Sequence, residues 1–102
     1  MDIQKMMRQA QEMQGKMEQL QAQLAEVEVE GVSGGGMVKV TMTCKGEVKN
    51  LDIDSSLIES ADKEAIEDLT IAAVNNARAV ADDKIKDETQ KIMGNMGIPT
   101  GI

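Results

Sequence analysis

The chain has no Phe, Tyr, Trp or His, and only one Cys and one Pro among its 102 residues. Aromatic rings supply much of the buried area of ordinary cores, so here the interior has to be built from Met, Leu, Ile, Val and Ala. A chain of this length makes one domain near the lower limit of comfortable independent folding. The missing aromatics therefore point to an oligomer that completes its core across subunits. A single cysteine, Cys44, excludes an intrachain disulfide and a cysteine-based metal cluster. With no His, no Tyr and one Cys, few acid–base or nucleophilic arrangements remain, so no enzymatic activity, metal, cofactor or small-molecule substrate is expected. No apolar run approaches the roughly 20 residues of a membrane span. The N-terminal stretch is polar and periodic, unlike a secretory signal. The expectation is a cytoplasmic protein with no membrane partner.

What is present is acid, methionine and periodicity. The net charge is −7, which by itself argues against nucleic acid as a partner, but the charge is unevenly spread. Residues 1–17 carry Asp2, Lys5, Arg8, Glu12 and Lys16 and are locally positive. Residues 18–31 hold four glutamates and no cation.

Ile3, Met6, Ala10, Met13, Met17, Leu20, Leu24 and Val27 recur at alternating spacings of three and four. That a/d seam predicts an amphipathic helix over residues 2–27, about 37 Å long at 1.5 Å per residue, with Asp2 as its N-cap. Gly15 lies off the seam, so the helix should continue through it. From Glu26 the period changes to two, and Val27 and Val29 alternate with glutamates as in a half-exposed strand. Residues 31–36 (Gly-Val-Ser-Gly-Gly-Gly) are expected to break that strand into a hairpin loop. No Gly-Lys-Ser/Thr follows the glycines, and a strand comes next, so the P-loop geometry is missing.

Residues 37–44 make the strongest strand signal, with Val38, Val40, Met42 and Cys44 on one face and Lys39, Thr41 and Thr43 on the other. Lys45-Gly46 turns the chain into a third strand over 47–54. Its parity changes between Val48 and Leu51, so either Val48 lies on the outer face or a β-bulge sits near Lys49-Asn50. Asp52 and Asp54 are expected on a solvated face. A second long helix is predicted over 62–93, capped by Asp62 with Ser60 as a rival, and about 48 Å long. Its stripe is rich in alanine in the first half, at Ala65, Ala72, Ala73, Ala77 and Ala81. Residues 94–102, with Gly94, Gly97, Pro99 and Gly101, are expected as a flexible tail.

These elements define an α+β domain over 1–93: long helix, three-stranded antiparallel sheet, long helix. A three-stranded sheet is only about 15 Å wide, so both helices overhang it. Projecting arms with incomplete seams suggest a two-fold homodimer. Leu20, Leu24, Val27, Val29, Val38 and Val40 are the candidate dimer-interface residues. If the arms straddle a duplex, the binding residues would be Lys5, Arg8 and Lys16 on the first helix and Lys84, Lys86 and Lys91 on the last, with salt-sensitive phosphate contacts. The opposing reading is that these cations pair with Glu12, Asp82, Asp87 and Glu88 on solvated faces.

Several stretches resemble one family. Residues 7–17, Met-Arg-Gln-Ala-Gln-Glu-Met-Gln-Gly-Lys-Met, look like the opening helix of the YbaB/EbfC family of bacterial nucleoid-associated proteins. Arg8 stands where members usually carry Lys. Residues 34–40, Gly-Gly-Gly-Met-Val-Lys-Val, are similar to the family's hairpin. Leu51-Asp52-Ile53-Asp54 with Leu57 resembles its third strand and exit. Asp62-Lys63-Glu64, Glu67-Asp68-Leu69 and Ala72-Ala73-Val74-Asn75 resemble the start of its last helix. The resemblance implies a homodimer with helices arranged as tweezers around double-stranded DNA, located in the nucleoid and acting in its organisation or in gene regulation. No short family motif marks DNA-contacting residues, so the six cations rest on charge and position. The acidity and the Met-rich seam also suit an acidic protein-interaction or chaperone-like helical dimer that does not bind DNA directly.

Overall fold

A computed structural model describes residues 2–95. The elements are α1 (Ile3–Leu24), β1 (Glu28–Ser33), β2 (Val38–Thr43), β3 (Val48–Ile53), α2 (Ser55–Glu59) and α3 (Lys63–Asn95). The α-β-β-β-α order is thus as the periodicities predict, with a short extra helix before α3. The sheet is antiparallel in the order β1-β2-β3. The molecule is drawn out to 69 × 25 × 17 Å.

Helix starts follow their caps. The Asp2 carboxylate accepts a hydrogen bond from the Lys5 amide at 3.3 Å, and the Asp62 carboxylate accepts one from Ala65 at 3.1 Å. Ser60 is not the rival cap: its hydroxyl donates to the Leu57 carbonyl at 2.6 Å and closes α2. α2 begins at Asp54, whose Oδ1 accepts from the Ser56 hydroxyl at 2.7 Å and the Ser56 amide at 2.9 Å. Those bonds hold the Asp54 carboxyl below its ordinary pKa, the hydroxyl contributing most. Asp54, expected merely to be solvated, therefore ends the sheet and starts a helix.

Two expected boundaries move. α1 stops at Leu24, so Val27 lies outside the helix, in the link to β1. β1 does not break at Gly31: Gly31, Val32 and Ser33 pair with Val40, Lys39 and Val38. A side chain at Gly31 would collide with the backbone of α3, and its absence lets the helix lie directly on the strand. The actual break is Gly34–Gly36, a single 3-10 turn. Gly34, Gly35 and Gly36 all have positive φ, a region L side chains resist.

The bulge expected near Lys49 is present. Thr41 pairs with Asn50 and Met42 with Val48, which leaves Lys49 without a partner residue. Val38, Val40 and Met42 form the core face with Leu57, Ala73 and Ala77. Ala73, Ala77 and Ala81 recur every fourth residue and are fully buried, and their small side chains bring the α3 backbone close to the sheet. Ser33 donates to the Leu69 carbonyl at 2.6 Å, and Asn76 donates to the Val32 carbonyl at 2.7 Å. Both bonds fasten β1 to α3.

A second cluster joins the helices. Leu20 and Leu24 pack with Cys44 and Ala81, flanked by Met17, Val27, Ile85 and Ile92. Helix α3 runs on to Asn95, so Gly94 is helical and is not the start of a tail. The rest of the predicted tail, 96–102, lies outside the described residues.

Candidate nucleic-acid interface

The first half of α1 carries the accessible cations. Lys5, Arg8 and Lys16 are exposed, and at about 100° per residue they fall within roughly a quarter-turn of the helix circumference. Lys5 and Lys16 stand about 16 Å apart along the axis. None of the three is in an ion pair among the described residues, although Glu12 lies in the same stripe. The pairing that would neutralise these cations is absent here. The apolar seam of the same segment lies about a third of the circumference away and is also exposed, at Ile3, Met6 and Ala10.

The cations of α3 behave differently. Lys84 and Lys91 both reach Glu88 Oε1, each at 3.4 Å. Lys91, followed by Lys84, draws the Glu88 carboxyl below its ordinary pKa. Lys86 is exposed and unpaired among the described residues. The six predicted cations thus divide into four open ones, Lys5, Arg8, Lys16 and Lys86, and two tied to one glutamate. Ion pairs this open to solvent are weak, so Lys84 and Lys91 can exchange Glu88 for another anion at little cost.

The helices run antiparallel, with Leu24 and Val27 beside Lys84 and Glu88, and Lys16 and Leu20 beside Ile92. Lys84, Lys86 and Lys91 therefore belong to the same end of the molecule as α1, and the arm carries cations from both helices. Cys44 is buried under this arm, and burial pushes its thiol pKa up, partly offset by Lys84. A protonated, covered thiol is a packing group.

The candidate interface residues lie elsewhere. Leu20, Leu24, Val38 and Val40 are at most 5% exposed within the single chain, so they offer almost no surface to a second subunit. Val27 and Val29 are half-buried. Apolar surface remains on the sheet at Val32 of β1, 43% exposed, and on β3, where Val48 is 48% and Leu51 47% exposed. Val40 pairs with Leu51, so the two share a sheet face, yet α3 covers only the β1 and β2 part of that face. Sequence parity identifies Leu51 as an apolar strand residue but does not reveal that the helix stops short of it.

Among the described residues no helix is long and apolar enough to cross a membrane. No group of three or more acidic or cysteine side chains there is arranged to hold a metal ion.

Residues 1–96 match the model of the YbaB/EbfC DNA-binding family. A nucleoid-associated protein of Neisseria meningitidis is 48% identical over 101 residues, covering 95% of this chain and 87% of the relative. One from Rhodopseudomonas palustris is 44% identical over 97 residues, covering 95% and 92%. The crystal structure of an uncharacterized Helicobacter pylori protein superposes with a TM-score of 0.78 at 29% identity, over 91% of this chain and 98% of that one.

Proposed function

The chain belongs to the YbaB/EbfC DNA-binding family, and from that premise we propose that it is a non-enzymatic, nucleoid-associated homodimer that grips double-stranded DNA between its helical arms. The observation that carries the reading is the first half of α1. It projects from the sheet and presents Lys5, Arg8 and Lys16 in one stripe with no acidic partner within ion-pair distance among the described residues. In a protein of net charge −7, this locally positive surface is the part suited to phosphate, and Lys84, Lys86 and Lys91 extend it. Contacts of this kind are sequence-tolerant and weaken steeply as salt rises. That behaviour suits a protein that organises the nucleoid or influences gene expression along it.

The homodimer reading rests on β3. This strand is an edge of the sheet, and it leaves Val48 and Leu51 half exposed. A second copy meeting it about a two-fold axis would cover both residues and set two arms facing one way. No catalytic step is assigned. The chain has no His or Tyr, and its one thiol is buried.

The test is a titration of purified protein into labelled duplex at about 50 and 200 mM salt, run beside light scattering. Expected are a dimer mass and micromolar or tighter binding that weakens as salt rises. Binding that is absent, or insensitive to salt, overturns the DNA-binding reading; a monomer mass overturns the tweezer.

A further inference from the structure

We propose that the open half of the α1 seam is a contact site for a second copy of this chain, whose own α1 lies on it antiparallel about a two-fold axis. The seam runs the length of α1, but α3 covers only its later half. Ile85 and Ile92 share a cluster with Leu24, Leu20 and Met17, and Ile92 lies beside Lys16. Nearer the helix start Met13 is half-buried and Ala10 exposed, while Met6 is 54%, Met7 58% and Ile3 69% exposed. The stretch from Ile3 to Met13 is about 15 Å long.

The residues that flank the seam select the occupant and its direction. In heptad order Ile3 and Ala10 are a positions and Met6 and Met13 are d positions. An antiparallel two-fold pairing sets a against d, so Ile3 meets Met13 of the second copy and Met6 meets its Ala10, each contact recurring by symmetry. The flanking g positions are Asp2, Gln9 and Lys16. In this register Asp2 of each chain stands within about 3 Å, along the axis, of Lys16 of the other, and Gln9 meets Gln9. Flanking charges of this kind set partner and orientation. A parallel pairing sets g against e, which places Asp2 by Met7 and Lys16 by Gln21 and matches no opposite charges. Both charges are available: Lys16 is in no ion pair among the described residues, and Asp2 caps α1 through one carboxylate oxygen. The length fits as well, because the pairing ends at Lys16, where Ile92 begins to cover the seam. Lys5 and Arg8, at c and f, lie away from the contact. The arms of the dimer proposed above face one way, so the antiparallel partner is an arm of another dimer. That placement rests on the dimer reading; the contact itself does not. A contact this small belongs with the weak, transient interfaces, so it is populated in concentrated solution.

Disulfide trapping in full-length chain tests it. One preparation carries Met6→Cys and the other Ala10→Cys, both with Cys44→Ala, and retained helical content is checked by circular dichroism. The two are mixed in concentrated solution and oxidised with copper phenanthroline. Expected is a link between position 6 of one chain and position 10 of another, in excess over the 6–6 and 10–10 links of a parallel pairing. Lys16→Glu in both chains, which sets Glu against Asp2, should lower its yield several-fold. Adding Val48→Lys and Leu51→Lys should leave the link in place, which separates this contact from β3. Four results overturn the proposal. They are no link between chains, an excess of 6–6 and 10–10 links, a yield indifferent to Lys16→Glu, and loss of the link with the β3 substitutions.

Discussion

A methyl group placed on Gly31 would overlap the Ala77 backbone nitrogen and the Ala73 carbonyl, and would lie 2.6 Å from the Ala77 Cα. The obstructing atoms are all backbone, so no side-chain rotation can make room. Gly31→Ala should therefore push α3 off β1 and destabilise the fold by about 1–3 kcal/mol, the usual cost of overpacking a close-packed site. Gly15→Ala is the matching control, since nothing lies within 4 Å of a methyl group there and alanine favours the helix by up to about 1 kcal/mol. Urea denaturation of the two variants should move the midpoint in opposite directions.

Lys5, Arg8 and Lys16 changed together to Ala should leave stability almost untouched, since exposed substitutions usually stay within about 0.5 kcal/mol each. Duplex affinity should fall at low salt. The slope of log affinity against log salt should also flatten, by about 0.9 for each phosphate that is no longer neutralised. Lys63→Ala, which removes only the exposed pair with Glu67 far from the arm, should change neither. Fluorescence anisotropy at several salt concentrations separates the cases. An unchanged slope in the triple variant would move the phosphate-binding surface to α3.

How far the residues announce this structure depends on how local the responsible interaction is. Asp2 and Asp62 are recognisable caps because the amides they bind are only three residues away. The bulge at Lys49 is legible because a change of period inside one strand shows in the order of the residues. Gly31 misleads because its role is set by α3, more than forty residues later, and alone it looks like a strand breaker. Leu20, Leu24, Val38 and Val40 show the same limit. Their apolar character is plain in the sequence, but their burial within one chain depends on where α3 lies. Lys5, Arg8 and Lys16 can be picked out by charge, whereas the sharing of Glu88 by Lys84 and Lys91 depends on side-chain placement along α3.

Val48→Lys with Leu51→Lys is a direct test of β3 as the dimer surface. Both side chains are already nearly half exposed in the single chain, so the substitutions cost a lone protomer little. In a two-fold pair they would bring like charges together at a desolvated edge, where lysine is an established deterrent to strand association. Analytical ultracentrifugation should show a shift to monomer with helical content retained. Leu24→Ala should do the reverse. It should lower stability by about 2–5 kcal/mol as a core truncation, without selectively breaking the dimer.

Glu88 provides a pH-dependent counterpart at the other face of the arm. Its carboxyl is held below the ordinary value of 4.5, first by Lys91 and then by Lys84. A carboxyl depressed by folding contributes stability that is fully present above its unfolded pKa. That contribution disappears as pH falls through the lower, folded value. Wild type should therefore lose stability below about pH 4.5 through this group, and Glu88→Gln should lose less over the same interval. The Glu88 side chain is partly exposed, so added salt should shrink the difference. Chemical denaturation at stepped pH values from neutrality downward, at low and high salt, measures it; parallel curves for the two proteins would remove Glu88 from the acid response. The same substitution frees Lys84 and Lys91 at neutral pH. If the α3 cations meet the duplex, Glu88→Gln should bind DNA more tightly and with a steeper salt slope than wild type.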